Sequence, residues 1–324
     1  LSEWHSGYRA YRVSTLAELP FIGNSDGFDF DTEIILQLLD AKKRIVEVPI
    51  PTYYGDEICH VNGLQYARDV AIDTVKYRLG RSGFGGGHVG RVREPYAFKP
   101  SPYSSHGRVL QMLEARPPLR VLDVGCGPGW LAAGLSDLGH QVTGVDVAAD
   151  DGVETRMHRF LRADLEQGLP DEAGGDYDVV VAADIVEHLR QPQQLLEAMS
   201  QRVRPGGTVV ISVPNFGHWY PRARVAAGLF DYDQRGILDR THLRFFTRRS
   251  FLRMAKEAGL EPVSKRHTGL PLDALGVADV KPVAATVGRL DRALVRMWPT
   301  MFAYQFVYEL APWRAGALRH ESPR

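Results

Sequence analysis

Only two of the 324 residues are cysteine, Cys59 and Cys126, so no disulfide framework can hold this chain, and a reducing cytoplasm is the expected compartment. Charge of one sign is also missing. Lys plus Arg and Asp plus Glu stand at 39 each, so no global field draws the chain to nucleic acid or to an anionic membrane, and no nucleic-acid partner is expected. No run of 18 apolar residues exists, which excludes an ordinary membrane-spanning helix, and no signal-peptide pattern opens the chain. The sequence starts at Leu1 inside a patterned segment, and we expect that a portion preceding it has been lost. The length fits about two domains with sizeable cores.

What is present is concentrated in Val121-Leu122-Asp123-Val124-Gly125-Cys126-Gly127-Pro128-Gly129. An apolar run closed by an acid and three alternate glycines describes a strand that turns sharply around a ligand. The glycines permit positive φ and close backbone approach, and Cys126 is small enough to sit among them. Trp130 to Leu135 reads as the start of a helix, whose free N–H groups point at the same spot. A dinucleotide fingerprint is G-x-G-x-x-G, and here the third glycine comes one place early. The next apolar run, Val142 to Val145, ends in Asp146, an acid that can accept both ribose hydroxyls of an adenosine. A dehydrogenase would offer the same acid, so Asp146 alone does not discriminate.

The D-x-G-x-G-x-G from Asp123 to Gly129 resembles the first motif of class I S-adenosylmethionine-dependent methyltransferases. Further segments follow in that family's order: Phe160 to Leu165 as a third strand, Tyr177 to Asp184 as a fully apolar fourth strand, and Thr208 to Asn215 as a fifth. Between the last two, Leu195 to Arg204 reads as an amphipathic helix stopped by Pro205-Gly206-Gly207. The resemblance runs over roughly residues 92–312 and implies an α/β fold, a Rossmann-like seven-stranded sheet. It implies S-adenosylmethionine as cofactor; no residue is singled out as a metal ligand, and the sequence does not reveal whether a metal assists. Asp123, Gly125, Cys126, Gly127 and Gly129 would hold the methionine portion, Asp146 with Val147 the ribose, and Asp164 with Leu165 the adenine. Asp184 would face the site from the end of strand four.

The amino-terminal part lies outside that pattern. Ser6 to Tyr11, Phe28-Asp29-Phe30-Asp31-Thr32-Glu33-Ile34 and Val48 to Tyr54 resemble the last third of a family 2 glycosyltransferase of the polyprenyl-phosphate sugar transferase type. The resemblance implies a partial GT-A-type α/β remnant, with a helix opened by F-D-T-E and with Asp31 and Glu33 as candidates for deprotonating an acceptor. The nucleotide-sugar half of that fold would lie upstream of Leu1, and Asp29-Phe30-Asp31 is not its metal motif, so no glycosyl transfer is expected from this chain alone. Gln65 to Leu79 reads as an amphipathic helix, and the G-x-G-x-x-G of Gly85, Gly87 and Gly90 as a joint rather than a phosphate loop. The chain divides into 1–75 (glycosyltransferase remnant), 76–93 (helix end and linker), 94–312 (methyltransferase domain) and 313–324 (tail).

Parallel α/β sheets bind ligands beyond the carboxyl ends of their strands, so the acceptor belongs after strands four and five. Glu187-His188 follows the fourth; the stretch Phe216 to Thr247, rich in His, Arg and aromatics, follows the fifth. His188 and His242 are the candidates for a base, because an aliphatic hydroxyl needs one near neutral pH. Each has a competing reading: pocket shaping for His188, a buried hydrogen-bonding role for His242. His218 is a weaker candidate for the same role, with a surface position as its competing reading. Val283, Val287, Leu290, Leu294 and Trp298 fall at helical spacing among arginines. That helix reads as an insertion before a final antiparallel strand, in preference to a membrane-surface helix. The expected acceptor is a sugar, a lipid-linked glycan or another small hydroxylated molecule. The rival functions are a glycosyltransferase whose first half is missing and a SAM-binding scaffold without catalysis.

Overall fold

The computed structural model describes residues 8–49, 62–81, 101–149, 152–233, 235–272 and 281–313. Cys59, Ile50 to Tyr54, the Gly85–Gly90 joint and the tail from residue 314 lie outside them. The described residues fall into two compact units, one within Leu1–Pro95 and Asp231–Asp239, the other within Tyr96–Phe230, Arg240–Asp273 and Val277–Arg324.

The first unit is helical among its described residues, with no strand. It contains α1 (Val13–Leu16), α2 (Phe30–Asp40) and α3 (Gly63–Arg81). The first turn of α2 carries Asp31 and Glu33, where the helix dipole favours acids. Asp31 is paired with Arg9 at 3.3 Å, and Glu33 accepts the Ser25 N–H at 2.6 Å. Helix α3 is not amphipathic in the expected sense. Leu64, Ile72 and Val75 are exposed while Asp73 is buried.

The second unit holds a seven-stranded sheet. In chain order it comprises α4 (Ser105–Leu113), β1 (Arg120–Val124), α5 (Trp130–Asp137), β2 (Gln141–Asp146), β3 (Arg159–Arg162), β4 (Tyr177–Ala183), α6 (Pro192–Arg202) and β5 (Val203–Pro214). Then come α7 (Trp219–Ala226), α8 (Arg248–Glu257), β6 (Leu260–His267), α9 (Lys281–Met297), α10 (Pro299–Phe302) and β7 (Gln305–Pro312). The strand order is β3-β2-β1-β4-β5-β7-β6, parallel except that β7 runs antiparallel between β5 and β6.

The period of two in the central strands sorts their side chains into two cores. Leu122, Val180, Ile211 and Tyr308 pack with Leu196 of α6 and Phe251 of α8; Val121, Val179, Val210 and Val307 pack with Val109 of α4 and Leu135 of α5. One expectation fails locally. The helix before strand five ends at Arg202, and Pro205-Gly206-Gly207 lies within β5 as an irregularity, where the register with β4 shifts between Tyr177 and Val179. Gly206 takes φ +84°, and a Cβ on Gly207 would stand 2.6 Å from the Asp178 carbonyl oxygen, so glycine lets the strand continue through the kink.

Candidate active site

The sheet turns its carboxyl edge to one loop cluster, and the glycine loop between β1 and α5 is its centre. Gly125, Gly127 and Gly129 take φ of +74°, +50° and +79°, a region open to glycine and strained for other residues. The Gly125 N–H donates to the Val145 carbonyl at 2.8 Å, which ties the loop to β2. Arg156 holds its outer side, donating to the Pro128 carbonyl at 2.7 Å with its guanidinium 4.2 Å from the centre of the Trp130 ring. A Cβ on Gly125 would strike Ile185 at 2.6 Å, so the turn after β4 abuts the loop directly. At Gly127 the same construction meets nothing within 4 Å, which leaves backbone facing open space.

Two acids flank that space. Asp123 is 1% exposed, and its Oδ2 has no hydrogen-bond partner. Burial, with the nearby Asp146 charge adding to it, pushes its carboxyl up to about 7. An unpaired buried carboxylate is costly unless something charged completes it. Asp146 accepts the Gly127 N–H at 2.8 Å through Oδ2 and the Ala148 N–H at 3.0 Å through Oδ1, which aims the carboxylate along the loop and leaves one lone pair on each oxygen. Asp164 is exposed at the end of β3 and caps a short 3-10 turn by accepting the Glu166 N–H at 3.0 Å; Leu165, next to it, is buried. Val147 is exposed, and its carbonyl accepts from Arg162.

Cys126 offers only backbone to the loop space. Its side chain is buried against Gly144, where a Cβ would meet the sulfur at 2.8 Å, and desolvation raises its thiol well above the ordinary range. Asp184 is placed at the end of β4 with φ +56°, yet its carboxylate faces inward. Ser212 Oγ donates to Oδ1 at 2.5 Å, Gln305 Nε2 donates to the same oxygen at 2.9 Å, and Ser105 Oγ donates to Oδ2 at 2.8 Å. This carboxylate joins α4, β4, β5 and β7, a role no local sequence signal announced, because its partners lie up to 121 residues away.

The turn after β4 and the segment from Arg240 to Thr247 are laced together. The Leu243 and Arg244 N–H groups donate to the Glu187 carbonyl at 2.9 and 3.0 Å, and the Arg244 guanidinium donates to the Arg190 carbonyl at 2.5 Å. His188 Nδ1 lies 3.2 Å from the Thr241 carbonyl oxygen. A carbonyl only accepts, so Nδ1 carries the proton and Nε2 the lone pair. The His188 and His242 rings meet edge to face with centroids 4.8 Å apart, and His242 Nε2 is 4.0 Å from Glu187 Oε1. Glu187 is 1% exposed and His242 8%. These three residues offer one donor atom each, all within 4.8 Å of one another, which is a donor set able to hold a cation; the sequence had singled out no metal ligand. The Glu187-His188 dipeptide was visible in the sequence, but its convergence with His242 was not.

Beyond the histidines lie three phenyl rings. Phe245 is 6.3 Å from the His242 ring, 5.1 Å from Phe216 and 6.2 Å from Phe230, centroid to centroid. Of the two readings for His218, the surface position is excluded. The residue is fully buried and caps α7, its Nδ1 accepting the Tyr220 N–H at 3.3 Å, and burial lowers its pKa to about 4.

Comparison with known proteins follows the same outline. A family model described as a methyltransferase domain matches residues 102–265. A ubiquinone biosynthesis O-methyltransferase from Idiomarina loihiensis is 30% identical over 154 residues, 45% of this chain and 63% of that protein. Its namesake from Aeromonas salmonicida is 32% identical over 157 residues, 44% of this chain and 62% of its own length. The chain thus spans less than two thirds of these relatives. A solved SAM-dependent methyltransferase from Geobacter sulfurreducens, in complex with S-adenosyl-L-homocysteine, covers 68% of this chain and 94% of its own, at 17% identity and a TM-score of 0.42. With the family model spanning half of its residues, this chain belongs to the class I S-adenosylmethionine-dependent methyltransferase domain family.

Proposed function

We propose that the chain methylates an oxygen atom of a small, ring-shaped hydroxylated acceptor. The observation that carries this reading is the abutment of the glycine loop on Ile185, two residues ahead of Glu187, which sets the cofactor space beside the Glu187–His188–His242 cluster on one edge of the sheet. The residues fit the family's cofactor. Asp123 would pair with the ammonium group of its methionine portion, Asp146 would accept from the ribose hydroxyls, Asp164 and Leu165 would border the adenine, and the Gly127 backbone leaves room for close approach. When bound, S-adenosylmethionine supplies an electrophilic methyl group.

The protein's own contribution is positioning and proton handling. His188 presents a lone pair on Nε2 because Thr241 fixes the other nitrogen, and His242 Nε2 lies 4.0 Å from the Glu187 carboxylate. Either imidazole can take the acceptor's hydroxyl proton. Phe216, Phe230 and Phe245 offer ring faces for a phenol or a sugar. The relatives named for ubiquinone biosynthesis favour oxygen as the methylated atom.

The first unit we read as the end of a family 2 glycosyltransferase, which supports a sugar or lipid-linked glycan among the acceptors. Its Asp31 and Glu33 are engaged by Arg9 and Ser25, which fits a structural piece without sugar transfer of its own. Calorimetric titration with S-adenosylhomocysteine tests the cofactor site without needing the acceptor; micromolar binding at one site per chain is expected, and a folded sample that does not bind overturns the reading. Labelled S-adenosylmethionine with panels of phenols, sugars and lipid-linked glycans then identifies the acceptor. With that acceptor, His242→Ala lowers turnover at least tenfold and leaves S-adenosylhomocysteine affinity unchanged. The reverse pattern would show that the acceptor site is misplaced.

A further inference from the structure

We infer that Glu187, His188 and His242 form a divalent transition-metal site that binds and acidifies the acceptor hydroxyl. The inference rests on the methyltransferase reading and replaces its imidazole base with a cation, because a ring nitrogen bound to a metal has no lone pair left to take the acceptor's proton. Two imidazoles and one carboxylate, with donor atoms all within 4.8 Å of one another, are a three-ligand set that leaves coordination positions open. A metal at about 2.0–2.2 Å from each donor needs them about 3.0–3.6 Å apart, so the side chains must close by about an ångström on loading. Nitrogen donors select zinc, iron(II) or cobalt(II) over magnesium and calcium, which prefer all-oxygen shells.

The surroundings are built for such a shell. Metal-bound histidines usually donate their other ring nitrogen to a carbonyl or carboxylate, and His188 already does so: Nδ1 faces the Thr241 carbonyl, and Nε2 is the nitrogen left for the ion. The segment that supplies His242 is pinned to the turn that supplies Glu187 and His188 by the two backbone bonds to the Glu187 carbonyl, so the three ligands belong to one rigid substructure. Two of the three are buried, which strengthens their attraction for a cation. An acceptor hydroxyl that takes an open position forms a metal–oxygen bond and releases its proton to water, in the way that a metal-bound water is acidified. No electron changes hands, so a redox-inert ion such as zinc suffices.

The test uses the intact chain, stripped of metal with a chelator and dialysed, then titrated with cobalt(II). Visible absorption reads coordination without any need for activity. One equivalent is expected to bind with micromolar affinity and to give d–d bands, zinc should displace it, and His188→Asn and His242→Asn should each weaken binding at least tenfold. S-adenosylhomocysteine binding, measured on the same samples, should survive both chelation and these substitutions, which also shows that the variants fold. Cobalt binding equal in wild type and both variants, or absent from all, overturns the metal site and leaves the methyltransferase reading standing. Loss of S-adenosylhomocysteine binding by folded wild-type chain would instead strike that underlying reading.

Discussion

Asp123 is a carboxylic acid that burial holds to a pKa of about 7, and its protonation is therefore tied to ligand binding. A cationic amino group placed against its unpartnered oxygen needs the anion. Affinity for S-adenosylhomocysteine should fall as the pH drops below about 7, approaching tenfold per unit, and Asp123→Asn should bind weakly at every pH. A pH-independent affinity in the wild type would remove the pairing. The same shift acts on stability in the ligand-free chain. The folded value lies above the unfolded one, so this group's stabilising share is complete below about pH 3.9 and is lost as pH rises through about 7. Asp123→Asn should accordingly raise the melting temperature more at pH 8.5 than at pH 4.5. Asp146→Ala is a simpler case. It deletes a charged acceptor for two hydroxyls, each such bond being worth about 1.5–3 kcal/mol, and should weaken S-adenosylhomocysteine binding by about 100-fold or more while circular dichroism stays unchanged. Unchanged affinity would withdraw the ribose assignment.

At the scale of elements, helix α7 begins at a buried histidine rather than at an ordinary cap. His218 accepts the Tyr220 N–H and must stay neutral to do so. Its folded pKa, about 4, lies below the unfolded value of about 6.5. Its contribution is therefore present above pH 6.5 and is lost as pH falls through about 4. Asparagine caps helices well and does not titrate, so wild type should lose stability relative to His218→Asn in urea melts between pH 7 and 4.5. Parallel curves would mean that this imidazole is solvated. Element boundaries in the sequence were legible wherever a run was buried on both faces, as in Val179–Ala183, because nothing polar interrupts it. They were misread at Pro205-Gly206-Gly207, where residues that usually stop an element instead shape a kinked strand; only the Asp178 carbonyl across the sheet shows why glycine is needed there. The helical spacing from Val283 to Trp298 was equally readable, and α9 lies between β6 and β7.

For the whole molecule, the decisive element is a late one. Strand β7 lies between β5 and β6, and Phe306, Val307, Tyr308 and Leu310 feed both cores from it. Removing residues 303–324 would expose two strand edges and empty both layers, so the shortened chain should show no cooperative thermal transition, while a native-like melt would mean that β6 can close on β5 directly. Among the described residues no helix is long and apolar enough to cross a membrane, in keeping with the lack of long apolar runs. By itself the sequence determined the glycine loop, the chain order of β1 to β5 and the acids at or beside the ends of β1, β2 and β4, because these depend on local rules: glycine for positive φ, two-residue periodicity, and a carboxylate at a strand end. Only tertiary structure decided that the Asp184 carboxylate ties α4, β4, β5 and β7 together, that His218 is buried, and that Glu187 and His188 converge with His242. Those outcomes depend on side chains tens of residues apart meeting across the sheet, and no local pattern encodes which of them will meet.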